Sequence, residues 1–336
     1  MTSRQNETIT VLGAGSWGTA LAIQFARAKQ VTTLWGRPED QPELLDRERC
    51  NERYLPGIEF PESLRIEPDL ETAVGLGPDI LLGVPSHVLR PMLEQIKPYL
   101  NESHRIAWAT KGLELKSGLL PHQVAHDVLG DDYPLAVMSG PTFAREVGMG
   151  LPTAITVAAT DPDFADELAH RITNDQFRAY TSDDLAGVEV GGAVKNIIAI
   201  AAGISDGLGY GANTRVAVVS RGLIEMMRLG EALGAKSQTF MGLSGVGDLV
   251  LTCTDDQSRN RRMGFGLAAG RSVDDVAAEI GQVVEGVHAA NAVRVVATKL
   301  GVDMPICEQV YRILYENLAP KDAVASLMSR DVGPET

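Results

Sequence analysis

The sequence contains few cysteines, histidines and aromatic residues, and each scarcity argues against a class of protein. Its 336 residues include three cysteines and six histidines, and aromatic residues make up 5% of the chain. Cys50, Cys253 and Cys307 lie far apart, which favours neither a disulfide framework nor a zinc knuckle and indicates a reducing compartment. Since the histidines are scattered as well, we expect no metal site.

Long apolar runs and an excess of basic residues are also missing. No stretch approaches the roughly 18 uninterrupted apolar residues of a membrane span, and the amino-terminal MTSRQNETI lacks the apolar core of a signal peptide. The 44 acidic and 30 basic residues give a formal charge of −14, which argues against nucleic acid as a partner. We therefore expect a cytoplasmic protein without a membrane span, whose anionic ligands are held by local clusters of cations.

The hydrophobic pattern changes character along the chain. In the first half, short β-like runs alternate with helical patterns, and the runs lie at 8–15, 31–37, 79–86, 105–112, 135–141 and 153–159. From about residue 181 onward, apolar residues recur at helical spacing. The pattern predicts an α/β domain with a mostly parallel sheet at 1–188 and an all-helical carboxyl-terminal domain at 189–336.

The segment GAGSWG follows the first predicted strand and opens the first predicted helix. Gly13, Gly15 and Gly18 have the G-x-G-x-x-G spacing, in which glycines allow a tight turn, a close approach to a pyrophosphate and close packing of helix on strand. The backbone N–H groups of Ser16 and Trp17 open a helix that would face the phosphates. The motif predicts a Rossmann-like dinucleotide-binding domain, and a purely structural glycine turn is the alternative.

The end of the second predicted strand bears on the choice of dinucleotide. Domains that prefer NAD usually carry Asp or Glu there, whereas this chain has Trp35, Gly36 and Arg37. The Arg37 guanidinium would attract a 2′-phosphate, and none of the three residues is a carboxylate that would repel it. We predict NADP(H) as the preferred cofactor, with NAD(H) possible; the alternative makes Arg37 a solvated surface residue.

Several segments together resemble one known family. The run GGAVKNIIA at 191–199 continues to Asn213 without a break in the pattern. Five further motifs occur in the order expected of that family: GAGSWGTALA, VPS at 84–86, TKGLE at 110–114, SGPTFARE at 139–146 and SRNRRMG at 258–264. The chain thus resembles the NAD(P)-dependent glycerol-3-phosphate dehydrogenases, most closely the soluble bacterial form. The resemblance implies reversible reduction of dihydroxyacetone phosphate to sn-glycerol 3-phosphate for phospholipid synthesis.

Two lysines are the candidate catalytic residues. Lys195 begins an apolar helical run, where a buried ammonium group needs a partner, a lowered pKa or a function. At an ordinary pKa of about 10.4 it would be charged at neutral pH and could protonate a developing alkoxide. The alternative is a lysine that extends to solvent from a helix end. By resemblance, Lys111 contacts both substrate and nicotinamide.

Further residues are candidates for binding the substrate. Ser258 could cap a helix whose first N–H groups, together with Arg259 and Asn260, would hold a phosphate. By resemblance, Asp248 contacts the substrate or orients Lys195, and its alternative role is an N-cap. The resemblance also assigns Gly140 and Thr142 to the substrate.

By resemblance, other residues would contact the cofactor: Tyr54, Lys111, Ala144, Arg259, Val283 and Glu285. Two other functions stay open, namely a β-hydroxyacid dehydrogenase of the same architecture and a non-catalytic NADPH sensor. A homodimer is a further possibility.

Overall fold

A computed structural model describes residues 7–331. Its contacts divide the chain into two compact units. The first unit contains the residues up to Thr110 together with Pro121–Leu185, and the second contains Lys111–Leu120 together with the residues from Ala186 onward. The hydrophobic pattern places the division at 188/189 and gives no sign that residues 111–120 belong to the second unit.

A mostly parallel sheet forms the centre of the first unit, as the sequence predicts. The strands of this unit are Ile9–Leu12 (β1), Thr32–Trp35 (β2), Cys50–Asn51 (β3), Leu55–Glu59 (β4), Leu64–Glu67 (β5), Asp79–Leu82 (β6), Arg105–Trp108 (β7), Leu135–Ser139 (β8), Thr153–Ala159 (β9) and Phe177–Ser182 (β10). Eight of them form one sheet in the order β10-β9-β8-β7-β6-β1-β2-β5. Neighbours are parallel except β8 and β9, which are antiparallel, and β3 pairs with β4 in a separate antiparallel ladder.

Helices accompany this sheet along the first unit. They are Ser16–Arg27 (α1), Pro42–Glu48 (α2), Leu70–Gly75 (α3), Ser86–Ile96 (α4), Pro121–Leu129 (α5), Ala144–Met149 (α6) and Pro162–Ile172 (α7). All four residues of β1 are buried, as expected of a parallel strand covered on both faces. The alternation of strand and helix produces the Rossmann-like topology, with β1 inside the sheet between β6 and β2.

The second unit is helical. Its helices are Leu185–Gly207 (α8), Ala212–Ala232 (α9), Asp248–Thr254 (α10), Arg259–Ala268 (α11), Val273–Ile280 (α12), Glu285–Leu300 (α13), Pro305–Tyr315 (α14) and Pro320–Met328 (α15). The helical spacing from about residue 181 onward predicts this helical unit, in which α10 follows an irregular stretch that contains Gly242, Gly245 and Gly247.

Helix α8 is the central helix of the second unit. It has 23 residues, and an 18-residue window in it has a mean hydropathy of 1.5, enough for the length and composition of a membrane span, although Lys195 and Glu189 interrupt its apolar run. Ile197, Ile198 and Ile200 are fully buried among side chains of other helices in the unit's core. Burial on all sides is typical of a core helix, and it explains the apolar composition of α8.

The glycine turn between β1 and α1 leaves no space for side chains at two positions. Gly13 has a φ of +118°, and a Cβ there would lie 2.9 Å from the Gly83 carbonyl oxygen. A Cβ on Gly18 would overlap the carbonyl oxygen of Gly13. The turn is therefore as tight as the motif predicts, and helix α1 packs directly on its own turn.

Gly18→Ala tests this packing. The added methyl group would force the Gly13 carbonyl to move, so we expect the free energy of unfolding to fall by about 1–3 kcal/mol. Urea denaturation measures it. Gly75→Ala, at the end of α3 with no atom within 4 Å of the added Cβ, serves as the control and should keep or slightly raise the stability. Equal stability of the two variants would show that the turn is looser than described.

Candidate active site

Lys195 is buried, and its ammonium group has two partners. Its side chain is 8% exposed, and Nζ donates hydrogen bonds to Asp248 Oδ1 at 2.5 Å and to Thr252 Oγ1 at 3.0 Å. Lys111 Nζ donates to the other carboxylate oxygen, Asp248 Oδ2, at 2.7 Å. One buried carboxylate is thus shared by two lysines, and the interpretation of Lys195 as a lysine that extends to solvent is wrong.

The backbone around α10 brings Asp248 to this position. A Cβ on Gly191 of α8 would overlap the Ser244 carbonyl oxygen, so the segment before α10 lies directly on α8. Asp248 is the first residue of α10 and Gly247 is its N-cap, so the N-cap role considered for Asp248 is wrong. One turn later, the Thr252 hydroxyl donates to the Asp248 backbone oxygen at 2.6 Å.

This environment changes the protonation of both charged partners. Burial lowers the pKa of Lys195 to about 7, which Asp248 opposes and the nearby Lys111 reinforces. Burial would raise the pKa of Asp248, but the two lysines hold it below its ordinary value. Lys195 therefore has both a partner and a lowered pKa, two of the outcomes expected for an ammonium group in this apolar run, and near neutral pH it can both donate and accept a proton.

A second polar group lies at the start of α11. Ser258 caps this helix as predicted, since its hydroxyl accepts from the Arg261 backbone N–H at 3.2 Å. Arg259 Nη1 donates to Gln282 Oε1 at 3.3 Å. Burial lowers the pKa of the Arg259 guanidinium, and the Glu285 carboxylate opposes this effect. Among residues 7–331, no carboxylate lies within ion-pair distance of Arg259, which suits an anionic ligand.

Asn260 joins three helices of the second unit. Its amide Nδ2 donates to Asn196 Oδ1 at 2.8 Å, and its Oδ1 accepts from the Gly286 backbone N–H at 2.8 Å. Val283 and Glu285 flank the start of α13, next to the residues that Arg259 and Asn260 contact. The structure therefore assembles these predicted residues in one region, and their individual roles toward substrate and cofactor stay predictions.

In the first unit, the glycine turn has the features that a dinucleotide pyrophosphate requires. A Cβ on Gly15 would have no atom within 4 Å, so the space beside it is open. No side chain caps the start of α1, where Ser16 and Trp17 contribute the first backbone N–H groups. The Trp17 Nε1 atom is buried without a hydrogen-bond partner in the described chain. These features fit the phosphates and ribose of a bound dinucleotide.

A carboxylate that the sequence analysis overlooked lies beside Arg37. Asp40 Oδ2 accepts from the Arg37 backbone N–H at 3.1 Å and from Nε at 3.2 Å. The hydrogen bond with Asp40 raises the pKa of Arg37, whose side chain is 55% exposed. Tyr54 is also close enough to contribute to the electrostatics of Arg37. None of the residues 35–37 is a carboxylate, but a short turn brings Asp40 back to Arg37.

The remaining predicted residues follow strand β8 in the first unit. Thr142 Oγ1 donates to the Gly140 carbonyl oxygen at 3.2 Å, and Ala144 is the first residue of α6. Their assignments to substrate and cofactor stay predictions. Thr252 was not predicted at all, although its position four residues after Asp248 places both on one face of α10. That helical spacing is the signal that could have revealed it.

The reduction of a carbonyl group requires a hydride, which a nicotinamide can supply, and a proton from a positioned donor. The glycine turn suits the binding of a nicotinamide dinucleotide, and the buried Lys195 with a pKa of about 7 suits the role of proton donor. Fold and site together define an NAD(P)-dependent dehydrogenase. Among residues 7–331, no group of three or more side chains suited to hold a metal ion occurs.

Comparison with known proteins identifies the family. The amino-terminal model of NAD-dependent glycerol-3-phosphate dehydrogenase matches residues 8–165, and the carboxyl-terminal model of the same family matches residues 184–325. Together they span most of the chain. The chain belongs to the NAD-dependent glycerol-3-phosphate dehydrogenase family.

Individual relatives agree with this assignment over nearly their whole length. Glycerol-3-phosphate dehydrogenase [NAD(P)+] from Aeromonas salmonicida is 56% identical over 96% of this chain and 97% of its own. The protein of that name from Shewanella sp. MR-4 is 54% identical over 99% of both chains. The crystal structure of glycerol-3-phosphate dehydrogenase from Coxiella burnetii is 46% identical, with a TM-score of 0.93 over 97% of this chain and 99% of its own.

Asp248→Asn tests the shared carboxylate. Removing one partner of a buried ion pair leaves charges uncompensated, so we expect a loss of about 3–5 kcal/mol in unfolding free energy at pH 6. The loss should be smaller at pH 9, where Lys195, with its pKa of about 7, is already neutral in the folded wild type. Urea denaturation at both pH values measures it.

Asp274→Asn is the matched control, because Asp274 is exposed on α12 and its charge change is the same. It should alter stability by a few tenths of a kcal/mol at either pH, as exposed charges near a helix start do. A loss in Asp248→Asn that does not depend on pH would contradict the titration assigned to Lys195.

Proposed function

We propose that the protein reversibly reduces dihydroxyacetone phosphate to sn-glycerol 3-phosphate with a nicotinamide dinucleotide. The observation that carries the proposal is the buried Lys195 ammonium group. It pairs with the Asp248 carboxylate, and its pKa is lowered to about 7. A group of this kind can deliver a proton to a carbonyl oxygen at neutral pH and recover it in the reverse direction. Membership of the family supports the substrate.

The cluster of Lys195, Lys111 and Asp248 has a separate proposed role for each residue. A nicotinamide dinucleotide held by the glycine turn of the first unit would provide the hydride for C2 of the ketone. Lys195 donates the proton to the oxygen at C2, while Lys111 stabilises the negative charge that develops there. Asp248 orients both ammonium groups by accepting one hydrogen bond on each carboxylate oxygen. Because two cations share one anion, the cluster keeps a net positive charge of about one when Lys195 is protonated, which favours an anionic substrate.

The phosphate of the substrate is assigned to the start of α11. Ser258 orders this helix start, and Arg259 supplies a guanidinium without a carboxylate at ion-pair distance in the described chain. Asn260 uses one amide hydrogen for Asn196, and the second one is available to an oxygen of the phosphate. Gly140 and Thr142 stay proposed substrate contacts by resemblance to the family alone.

The cofactor is proposed to be NADP(H), with NAD(H) accepted. Gly13, Gly15 and Gly18 leave space for the pyrophosphate, and Ser16 and Trp17 offer donors beside it. Arg37 supports the preference because half of its side chain is exposed at the end of β2, where a ribose 2′-phosphate would be recognised. The remaining proposed contacts are Tyr54, Lys111, Ala144, Arg259, Val283 and Glu285.

The two other functions considered from the sequence have less support. A β-hydroxyacid dehydrogenase would share the architecture, but the family models and the full-length relatives favour a phosphorylated ketone. A non-catalytic NADPH sensor would not need a proton donor, whereas Lys195 is present and buried beside its carboxylate. We further propose that the protein acts in the cytoplasm, where its product supplies phospholipid synthesis, and that it forms a homodimer.

Lys195→Ala tests the function. Loss of the proton donor should lower kcat for dihydroxyacetone phosphate reduction by about 10²–10⁴-fold. The dissociation constant for NADPH should change little, because the proposed cofactor site lies mainly on the first unit. Oxidation of NADPH, followed by its absorbance, measures the rate, and titration of NADPH fluorescence measures binding.

Lys299→Ala serves as the control, since this lysine is exposed at the end of α13. It should retain wild-type kcat. If the wild-type protein oxidises NADPH with 3-oxo acids, which are reduced to 3-hydroxy acids, but not with dihydroxyacetone phosphate, the proposed substrate is wrong. Near-normal kcat in Lys195→Ala would remove this lysine from the chemistry.

A further inference from the structure

A second guanidinium lies beside the end of β2. Arg53 is exposed in the turn between β3 and β4, and its Nη1 donates to the carbonyl oxygen of Glu39 at 2.9 Å. Glu39 belongs to the short turn Pro38–Asp40 that follows Arg37. The Arg53 guanidinium also stacks over the Tyr54 ring, 4.9 Å from its centroid. These contacts hold Arg53 next to the residues at which the 2′-position of a dinucleotide is normally recognised.

The segment that carries Arg53 is fastened to the glycine turn. The buried Asn51 donates through Nδ2 to the Ala14 carbonyl oxygen and to Thr19 Oγ1, both at 2.9 Å. Ala14 lies between the first two glycines of the dinucleotide motif. Asn51 Oδ1 accepts from the Tyr54 backbone N–H at 3.2 Å, which fixes the turn after β3. The position of Arg53 therefore depends on a buried anchor, although its own side chain is exposed.

The two arginines differ in how much of their charge is already compensated. Arg37 makes paired hydrogen bonds with the Asp40 carboxylate. Arg53 forms no ion pair with any carboxylate in the described part of the chain, and its hydrogen bond goes to a neutral carbonyl. A dianionic phosphate near the end of β2 would meet a neutralised Arg37–Asp40 pair and an uncompensated Arg53. Arg37 alone is thus a weaker explanation for a preference for NADP(H) than the sequence suggests.

We propose that Arg53 is a specificity-determining residue that, together with Arg37, recognises the 2′-phosphate of NADP(H). The proposal rests on the proposed function, since it assigns a residue to its preferred cofactor. The Arg53 guanidinium contributes charge and hydrogen bonds to the phosphate, and the Tyr54 ring restricts its orientation. NAD(H) has a hydroxyl group at the 2′-position and gains little from this charge.

Arg53→Gln tests the proposal by direct binding to the full chain. Dissociation constants for NADPH and NADH are measured by titrating the fluorescence of the reduced nicotinamide, without substrate or turnover. Loss of a charge-assisted hydrogen bond should raise the constant for NADPH by about tenfold or more and that for NADH by less than about twofold. The effect on NADPH should shrink at high ionic strength.

Arg47→Gln is the matched control, because it removes the same charge from an exposed arginine of the first unit that pairs with Glu48. It should leave both constants unchanged. If Arg53→Gln weakens the binding of NADPH and NADH equally, or changes neither dissociation constant, the proposed role of Arg53 is wrong while the proposed function is unaffected. Failure of the wild-type protein to bind either dinucleotide would instead reject the proposed function.

Discussion

One buried carboxylate, Asp248, holds together the cluster that we propose as the active site. It accepts Lys195 on one oxygen at 2.5 Å and Lys111 on the other at 2.7 Å. Without it, two ammonium groups would lie close together in a buried region with no carboxylate to compensate them, and this arrangement would cost a large free energy of folding. With it, burial still lowers the pKa of Lys195 to about 7, and the lysine remains able to carry a proton at neutral pH. The proposed active site is therefore a cluster of two cations and one anion, with a net charge of about +1 when Lys195 is protonated.

The fold is arranged to deliver these side chains to one place. Helix α8 provides Lys195 from the centre of the second unit, where a small residue, Gly191, allows the segment before α10 to approach its backbone. The short stretch Lys111–Leu120 leaves the sheet after β7 and belongs to the second unit, so that Lys111 reaches the same carboxylate. The first unit, described by itself, has a turn with open space beside Gly15 and an exposed arginine, Arg37, after β2.

Much of this arrangement could be predicted from the sequence, because it depends on periodicity and on glycine positions. The parallel sheet, most of the helices and the tight turn at Gly13 and Gly18 follow from such patterns. The parts that could not be predicted depend on contacts between residues distant in sequence. The pairing of Lys111 with Asp248 spans 137 positions, so the sequence pattern does not show which carboxylate compensates the buried Lys195. Asp40 was overlooked because a short turn brings it back to Arg37, and Arg53 because its placement depends on the buried Asn51.

We infer that Lys195 titrates near neutrality because burial and the nearby Lys111 lower its pKa by more than Asp248 raises it. The most direct measurement is an NMR titration of the protein with isotopically labelled lysine, in which the signal of Lys195 is assigned by its absence from Lys195→Arg. The account predicts that this signal titrates at a pKa of about 7, well separated from exposed lysines at about 10.4. A Lys195 signal that titrates together with the exposed lysines would contradict it.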